Sequence, residues 1–401
     1  MGLWRFLSLL AVITAFLFET KPAYSLAYVV VFLFFGWRYF QERIAKGIVV
    51  RRLASQLYLF PGEQQKVYWE VENKSWFPFA WLSGMDGIPQ GLVGTQPKKR
   101  VFSLTGRSVK RVAFQLTARQ RGVFLLGPIE LFVGDFFGIT TQRFLSHQSQ
   151  MVVVYPQILQ LGELNLPSRL AFGNFQALQR IYPDPTRLAG VRPYQAGDPL
   201  RTLHWPATAR TNSLQVKQFD HTVKITCLIC LNFDERDYEV GRYYVQTELA
   251  VNTAASLANH LLLTGAACGL TANGVLTRHL AQERIDLQRR GSGLQVAPRR
   301  GVAQLTQLLT ILAGIQTQSE LDFQTLLFSQ SGQYEFGTLL FWIVPKDSSE
   351  IMEKAWSLVR RGHQVFIFVV GDTVQHAQFL DQPKQAGLQI FLVQPRKGAL
   401  L

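Results

Sequence analysis

The sequence has little sulfur and little histidine with which to do chemistry. Its 401 residues hold three cysteines, four methionines and seven histidines, too few for a disulfide framework and poor in soft metal ligands. Cys227 and Cys230 have CxxC spacing, but they fall inside the run ITCLICL over 225–231, which reads as a buried strand. Residues three apart on a strand point to opposite faces, so the two thiols share neither a bond nor a metal and are read as core. Also missing are a Walker-type glycine loop, a GxSxG elbow and an HExxH helix. His204 and His221, the latter beside Asp220, have no nucleophile at a recognisable spacing. The chain is therefore read as a non-enzyme. No RRM, KH or helix-turn-helix pattern organises the basic residues, so nucleic acid is not the expected partner. The pairs Arg289-Arg290 and Arg299-Arg300 are the support for a nucleic-acid-binding module, the alternative held beside a metal-dependent hydrolase.

Neither of two N-terminal apolar runs reaches the ~20 residues that a membrane span prefers. The first covers Phe6 to Phe18 and is interrupted by Glu19, Lys21 and Pro22; the second covers Ala23 to Trp37. Arg5 and Arg38 can snorkel, and Trp4, Tyr24, Trp37 and Tyr39 supply interfacial aromatics. The expected structure over residues 1–45 is a two-helix transmembrane hairpin. A cleaved signal peptide would not need the second run. What the chain has in excess is positive charge, 41 Lys and Arg against 27 Asp and Glu for a net +14. Part of it follows the hairpin at once, as Arg38, Arg43, Lys46, Arg51 and Arg52 opposed only by Glu42. By the positive-inside rule this flank keeps the body on the cytoplasmic side of the cell membrane.

Apolar residues make up 48% of the chain, enough for globular domains. Residues 46–158 show short alternating stretches, with Val67, Trp69 and Val71 on one face against Tyr68, Glu70 and Glu72. Similar runs at 112–116, 123–126, 129–133 and 151–155 predict a small β-sandwich. Residues 223–401 instead alternate strand and helix. Strands are expected at 225–233, 266–271, 339–344, 364–370 and 389–393, and helices at 247–263, 302–313 and 348–361. That alternation predicts a doubly wound α/β domain, whose sites lie past the carboxyl ends of its strands. The whole is an α+β multidomain chain, with residues 159–222 as a connecting segment.

The connecting segment is dense in residues that do polar work. Gly190, Arg192, Tyr194, Gly197, Asp198, Arg201, Trp205, Ala209, Arg210, Val216 and Lys217 recur at fixed spacing, with Leu203 at an apolar position. Three guanidinium forks and one carboxylate within twenty residues suit an ion-pair network or an anion site. This pattern resembles the signature of the bacterial and archaeal domain-of-unknown-function-58 family. Arg121-Gly122 with Gly127-Pro128, followed by Asp135 and Gly138, is similar to the motif of that family's β domain. The resemblance implies a von Willebrand factor A-like C-terminal domain and a MoxR-type AAA+ ATPase as partner. It also implies a role as a protein–protein adaptor in assembling or maturing envelope complexes.

In a von Willebrand A domain the loop after the first strand holds a divalent cation through Asp-x-Ser-x-Ser. The matching positions here are Asn232, Asp234 and Arg236. Asn232 and Asp234 remain candidate ligands, but Arg236 brings a cation where the metal would sit, so no cofactor is expected, a divalent ion included. In the signature, Asp198 and Arg201 are expected to pair structurally as part of a collar on the first strand. Arg192 or Arg210 is expected to be the exposed, functional cation.

Overall fold

The computed structural model describes scattered positions between 6 and 32, and residues 47–54, 56–95, 100–134, 141–164, 183–221, 225–281, 293–318, 320–330, 337–371 and 387–394. The chain divides into two compact units, residues 1–156 and 157–401. The described positions between 6 and 32 are helical, and Phe6, Leu9, Tyr28 and Phe32 among them are exposed. Among the described residues no helix is long and apolar enough to cross a membrane. Most of the hairpin expected over 1–45 lies outside the described residues.

Three sheets build the rest of the first unit. β1 (Ile48–Arg52), β3 (Gln64–Asn73), β7 (Val109–Ala118) and β5 (Leu92–Thr95) form an antiparallel sheet in the order β1-β3-β7-β5. A second has the order β10-β9-β4-β6, from β4 (Phe79–Asp86), β6 (Arg100–Leu104), β9 (Ile129–Gly134) and β10 (Thr141–Ser146). The third is β2-β11-β8, in which β11 (Gln150–Val154) runs parallel to β2 (Gln56–Leu59) and antiparallel to β8 (Gly122–Leu126). Val67, Trp69 and Val71 from the first sheet share one core with Leu82 and Leu131 from the second and Leu59, Leu126 and Val152 from the third. The strands expected over this region are thus arranged as three sheets around one core. β2 is four residues long and has only two inward positions, too few for an alternation to stand out. Where β4 crosses the core, Trp69 lies so close that a Cβ on Gly84 would sit 2.3 Å from the indole Cη2, so only glycine fits there.

The basic flank read as a topology signal is partly consumed by this unit. Arg51 pairs with Glu72 at 3.4 Å, across the β1–β3 ladder. Arg52 turns inward, its side chain 4% exposed, and forks onto the fully buried Asp86 with Nη1–Oδ2 at 3.0 Å and Nη2–Oδ1 at 2.6 Å. Its Nε donates to the Gln148 carbonyl, and its amide to Gln148 Oε1. Those two charges belong to the fold; Arg38, Arg43 and Lys46 lie outside the described residues.

In the second unit a 3-10 turn, Leu161–Leu164, precedes a ribbon, β12 (Pro183–Pro193) antiparallel to β13 (Gln215–His221), with the short helix α1 (Trp205–Thr211) between them. β14 (Thr226–Leu231) then starts a six-stranded sheet with β15 (Ala267–Ala272), β17 (Leu294–Arg299), β19 (Leu339–Val344), β20 (Gln364–Val369) and β21 (Leu388–Leu392). Its order is β17-β15-β14-β19-β20-β21, parallel throughout except for the edge strand β17. The two-residue strands β16 (Val275–Leu276) and β18 (Ile315–Gln316) pair apart from it. Five helices complete the described unit: α2 (Tyr243–Leu263), α3 (Arg278–Ala281), α4 (Val302–Gly314), α5 (Phe323–Gln330) and α6 (Ser349–Arg360).

Both sheet faces are covered, which is why the strands are apolar almost without interruption. α2 packs on β14, β15 and β19 and against α4. On the opposite face Leu228, Cys230, Trp342 and Ile367 share a core with Phe323 and Leu327 of α5 and Ile351, Met352 and Leu358 of α6. Cys227 is buried but lies outside that core, as strand alternation requires. Burial pushes its thiol up to about 12, so it is inert at neutral pH. α6 starts at a serine cap, with Ile351 N donating to Ser348 Oγ, and places Glu350 in its first turn and Arg360 in its last; both charges suit the helix dipole.

His363, between α6 and β20, is buried, and burial holds its imidazole below the ordinary histidine range despite an opposing backbone hydrogen bond at Thr338. The unfolded chain therefore takes up the proton first. Stability from this group is complete above the unfolded pKa of about 6.5 and is lost as pH falls through the lower folded value. His260 shifts in the same direction through burial. Urea titrations between about pH 7 and 5 are expected to show His363→Gln with a shallower loss of stability than the parent. Equal slopes would show that His363 takes no part.

Candidate functional site

The order of strands reverses between β14 and β19: β15 and β17 lie to one side of β14, and β19, β20 and β21 to the other. A doubly wound sheet opens its crevice at that switch point, beyond the carboxyl ends of the strands. The loop after β14 carries Asn232, Asp234, Arg236 and Asp237, all polar and tightly bonded to one another. The Asp234 amide donates to Asn232 Oδ1 at 3.1 Å, and Asn232 Nδ2 donates to Asp237 Oδ2 at 2.9 Å. Arg236 closes on Asp234 with Nε–Oδ1 at 2.9 Å and Nη2–Oδ2 at 2.6 Å, while its amide donates to Oδ1 at 3.0 Å. Burial alone would raise the Asp234 pKa, but these bonds and the charges of Arg236 and Lys346 hold it below the ordinary carboxylate range.

Other strand ends complete the network. Asn273, past β15, accepts from the Phe233 amide at 2.5 Å and donates to Asn232 Oδ1 and to the Leu321 carbonyl. Gln318 donates to the Asn273 carbonyl, and Asp234 bridges to Gln318 through the backbone. Lys346, past β19, meets Asp237 Oδ1 at 2.9 Å. Tyr238 Oη donates to the Asn232 carbonyl, and Tyr243 Oη meets Thr317 Oγ1. Asn273, Gln318 and Lys346 were not anticipated; the one clue to Asn273 is its place just beyond a predicted strand.

The divalent cation implied by a von Willebrand A domain does not fit these residues. Both Asp234 oxygens and Asn232 Oδ1 already accept N–H groups, and the guanidinium lies where a second cation would have to enter. Among the described residues no three His, Cys, Asp or Glu side chains converge on one point.

The signature residues build the ribbon and its excursion. Gly190 lies in β12 opposite Gln218, and Lys217 in β13 opposite Val191. The Tyr194 amide donates to the Leu214 carbonyl at 2.8 Å. Gly197 has φ +109°, a left-handed turn that returns the chain so that Asp198 meets Arg192. Nη1–Oδ2 is 2.8 Å and Nη2–Oδ1 is 2.7 Å, and the Gln195 amide adds a third donor. Arg192 and that amide hold Asp198 below the ordinary carboxylate range. The expected pairing is corrected here: Asp198 is held by Arg192, not by Arg201. A tight turn folds Asp198 back on β12, whereas Arg201 leaves along the 3-10 turn Leu200–Thr202 and is exposed.

Arg210 is exposed at the last turn of α1, and Trp205, at its start, is 66% exposed where a collar packed on the sheet would bury it. His204 caps α1 by accepting the Ala207 amide at Nδ1, a structural task that accounts for a histidine in the motif. Of the described residues from Arg192 to Lys217, only Leu203, Gln215 and Val216 are buried. The motif is a turn-locked surface.

Residues 190–281 match the family described as Protein of unknown function DUF58. The match begins at the signature and runs through the switch-point loop, α2 and β15 to the end of α3. In the first unit, Arg121-Gly122 leads into β8 and Gly127-Pro128 turns into β9; Asp135 and Gly138 lie outside the described residues. A curated relative, "Uncharacterized protein YeaD" of Bacillus subtilis (strain 168), is 23% identical over 229 residues, which is 56% of this chain and 55% of that protein. The chain thus spans about half the length of the curated relative it matches. Among solved structures, an Escherichia coli α2-macroglobulin fragment matches 28% of this chain and 17% of its own, at 11% identity and a TM-score of 0.24. The zinc 2-glycoprotein–prolactin-inducible protein complex from human seminal plasma matches 26% of this chain and 93% of its own, at 11% identity and a TM-score of 0.20.

Proposed function

We propose that this chain is a membrane-anchored adaptor that works by protein–protein contact rather than by catalysis. The observation that carries the reading is the exposure of the signature. Trp205 and Leu200 stand 66% and 69% exposed beside the exposed cations Arg201 and Arg210, on a segment held in shape by the Arg192–Asp198 fork. Tryptophan and arginine are the side chains most enriched at interface hot spots. The second unit's strand order, with its reversed third strand, supports a von Willebrand A-like fold. The family resemblance points to a MoxR-type AAA+ ATPase as partner and to an envelope complex as client. The exposed apolar side chains at the described positions between 6 and 32 support an anchor in the cell membrane, and the basic residues that follow it in the sequence support a body on the cytoplasmic side.

The test is co-purification from native membranes with the full chain carrying Trp205→Ala or Arg210→Ala. Each is expected to cost about 2 kcal/mol of binding, roughly thirtyfold in Kd for the AAA+ ATPase. Stability is expected to stay within about 0.5 kcal/mol. Recovery of the ATPase at parental levels by both variants would remove the signature from the interface.

A further inference from the structure

We infer that Arg236 is a built-in replacement for a divalent cation, and that it makes the switch-point loop independent of metal. The loop has the oxygen content of a cation site: Asp234, Asp237 and the amide oxygen of Asn232 all lie within six residues past β14. Each of those oxygens is answered by nitrogen. Asp234, whose side chain is 3% exposed, is closed by the guanidinium and the amide of Arg236. Asp237 is shared between Asn232 Nδ2 and Lys346 Nζ. Asn232 Oδ1 accepts from the Asp234 amide and from Asn273.

Within the bonded group Arg236 and Lys346 balance Asp234 and Asp237, and Asp322 acts on Arg236 as well. A divalent ion entering at Asp234 would displace the guanidinium or come into contact with it, and two cations at contact distance in a partly buried site repel strongly. The arginine also differs from an ion in kind. It cannot be chelated or diluted away, and it arrives with the chain, so the loop is locked at folding. Removing the Arg236 guanidinium would release both oxygens of the buried Asp234 carboxylate, the hard ligand that a divalent cation takes.

The experiment is thermal melting of the full chain in detergent, in EDTA and in titrations with Mg²⁺, Mn²⁺ and Ca²⁺. The parent and Arg236→Lys, which keeps a cation in place, are expected to melt alike with and without these ions. Arg236→Ser is expected to melt lower in EDTA and to gain a saturable rise of several degrees with a divalent ion. That rise should be lost in Arg236→Ser/Asp234→Ala. A saturable rise in the parent that Asp234→Ala abolishes would overturn the inference. So would an Arg236→Ser protein that melts at the same temperature in EDTA and in every ion. Should Arg236→Ser fold poorly in EDTA, refolding yield with and without Mg²⁺ reads the same question, and an unchanged yield counts against the inference.

Discussion

Arg52→Met is expected to lower the stability of the first unit by about 3–5 kcal/mol, the usual loss when one member of a buried ion pair is removed. The figure follows from how completely Arg52 is engaged. Its fork takes both oxygens of Asp86, its Nε binds the Gln148 carbonyl, and both side chains are shut away from water. Burial already raises the Asp86 pKa, with the hydrogen bonds and charge of Arg52 acting against the shift. Without the arginine, Asp86 must be buried as an unpaired anion or take up a proton, and Gln148 loses its donor. The double variant Arg52→Met/Asp86→Leu is expected to recover most of the loss, because an apolar pair of similar volume needs no desolvation. Urea denaturation of the parent, both single variants and the double variant measures the coupling. A single variant within about 0.5 kcal/mol of the parent would mean that the pair contributes nothing.

Trp342→Ala is expected to cost about 3–5 kcal/mol in the second unit, at the upper end for cavity-forming changes. Trp342 is fully buried in the middle of β19 and meets the Phe323 ring edge-on at 6.3 Å. Its indole Nε1 finds no hydrogen-bond partner among the described residues. Trp342→Phe is therefore expected to cost far less, about 1 kcal/mol, since the volume it loses is partly offset by removing a buried donor without an acceptor. Thermal or urea unfolding of the two variants makes the comparison. Similar losses for alanine and phenylalanine would show that packing around the ring is not what the tryptophan supplies.

How much of this was legible in the sequence depended on whether the information was local. β19 and α4 were read almost to the residue, because an unbroken apolar strand and a clean helical period are local signals. β1 was missed because IVVRR looks like a basic flank until Arg52 is seen to turn inward onto Asp86, 34 residues away. β4 was missed because Gly84 and Ser83 interrupt its pattern, and Gly84 is required by the ring of Trp69 from another sheet. α5 and the antiparallel edge β17 went unread, since short elements with mixed faces have no distinct period.

At the switch point the spacing Asn232, Asp234, Arg236 was enough to find the loop after β14 and the arginine within it. Asn273, Gln318 and Lys346 were out of reach because they converge only through the strand order. The signature was found in full, but the partner of Asp198 was misassigned. That pairing depends on a backbone turn at Gly197, not on the number of residues between charges.

The ribbon of β12 and β13 has a consequence for motion. A two-stranded ribbon is marginal by itself, and few of its described side chains are buried, whereas the neighbouring sheet is sealed on both faces. Amide protons in the ribbon therefore exchange through local opening, at a free energy well below that of global unfolding, while those of β14 and β19 wait for the whole unit to open. A protein that grips the signature closes this fluctuation as it binds. Part of its affinity is then spent on ordering the ribbon, and slowed exchange there would report the encounter even where the melting of the sheet does not move.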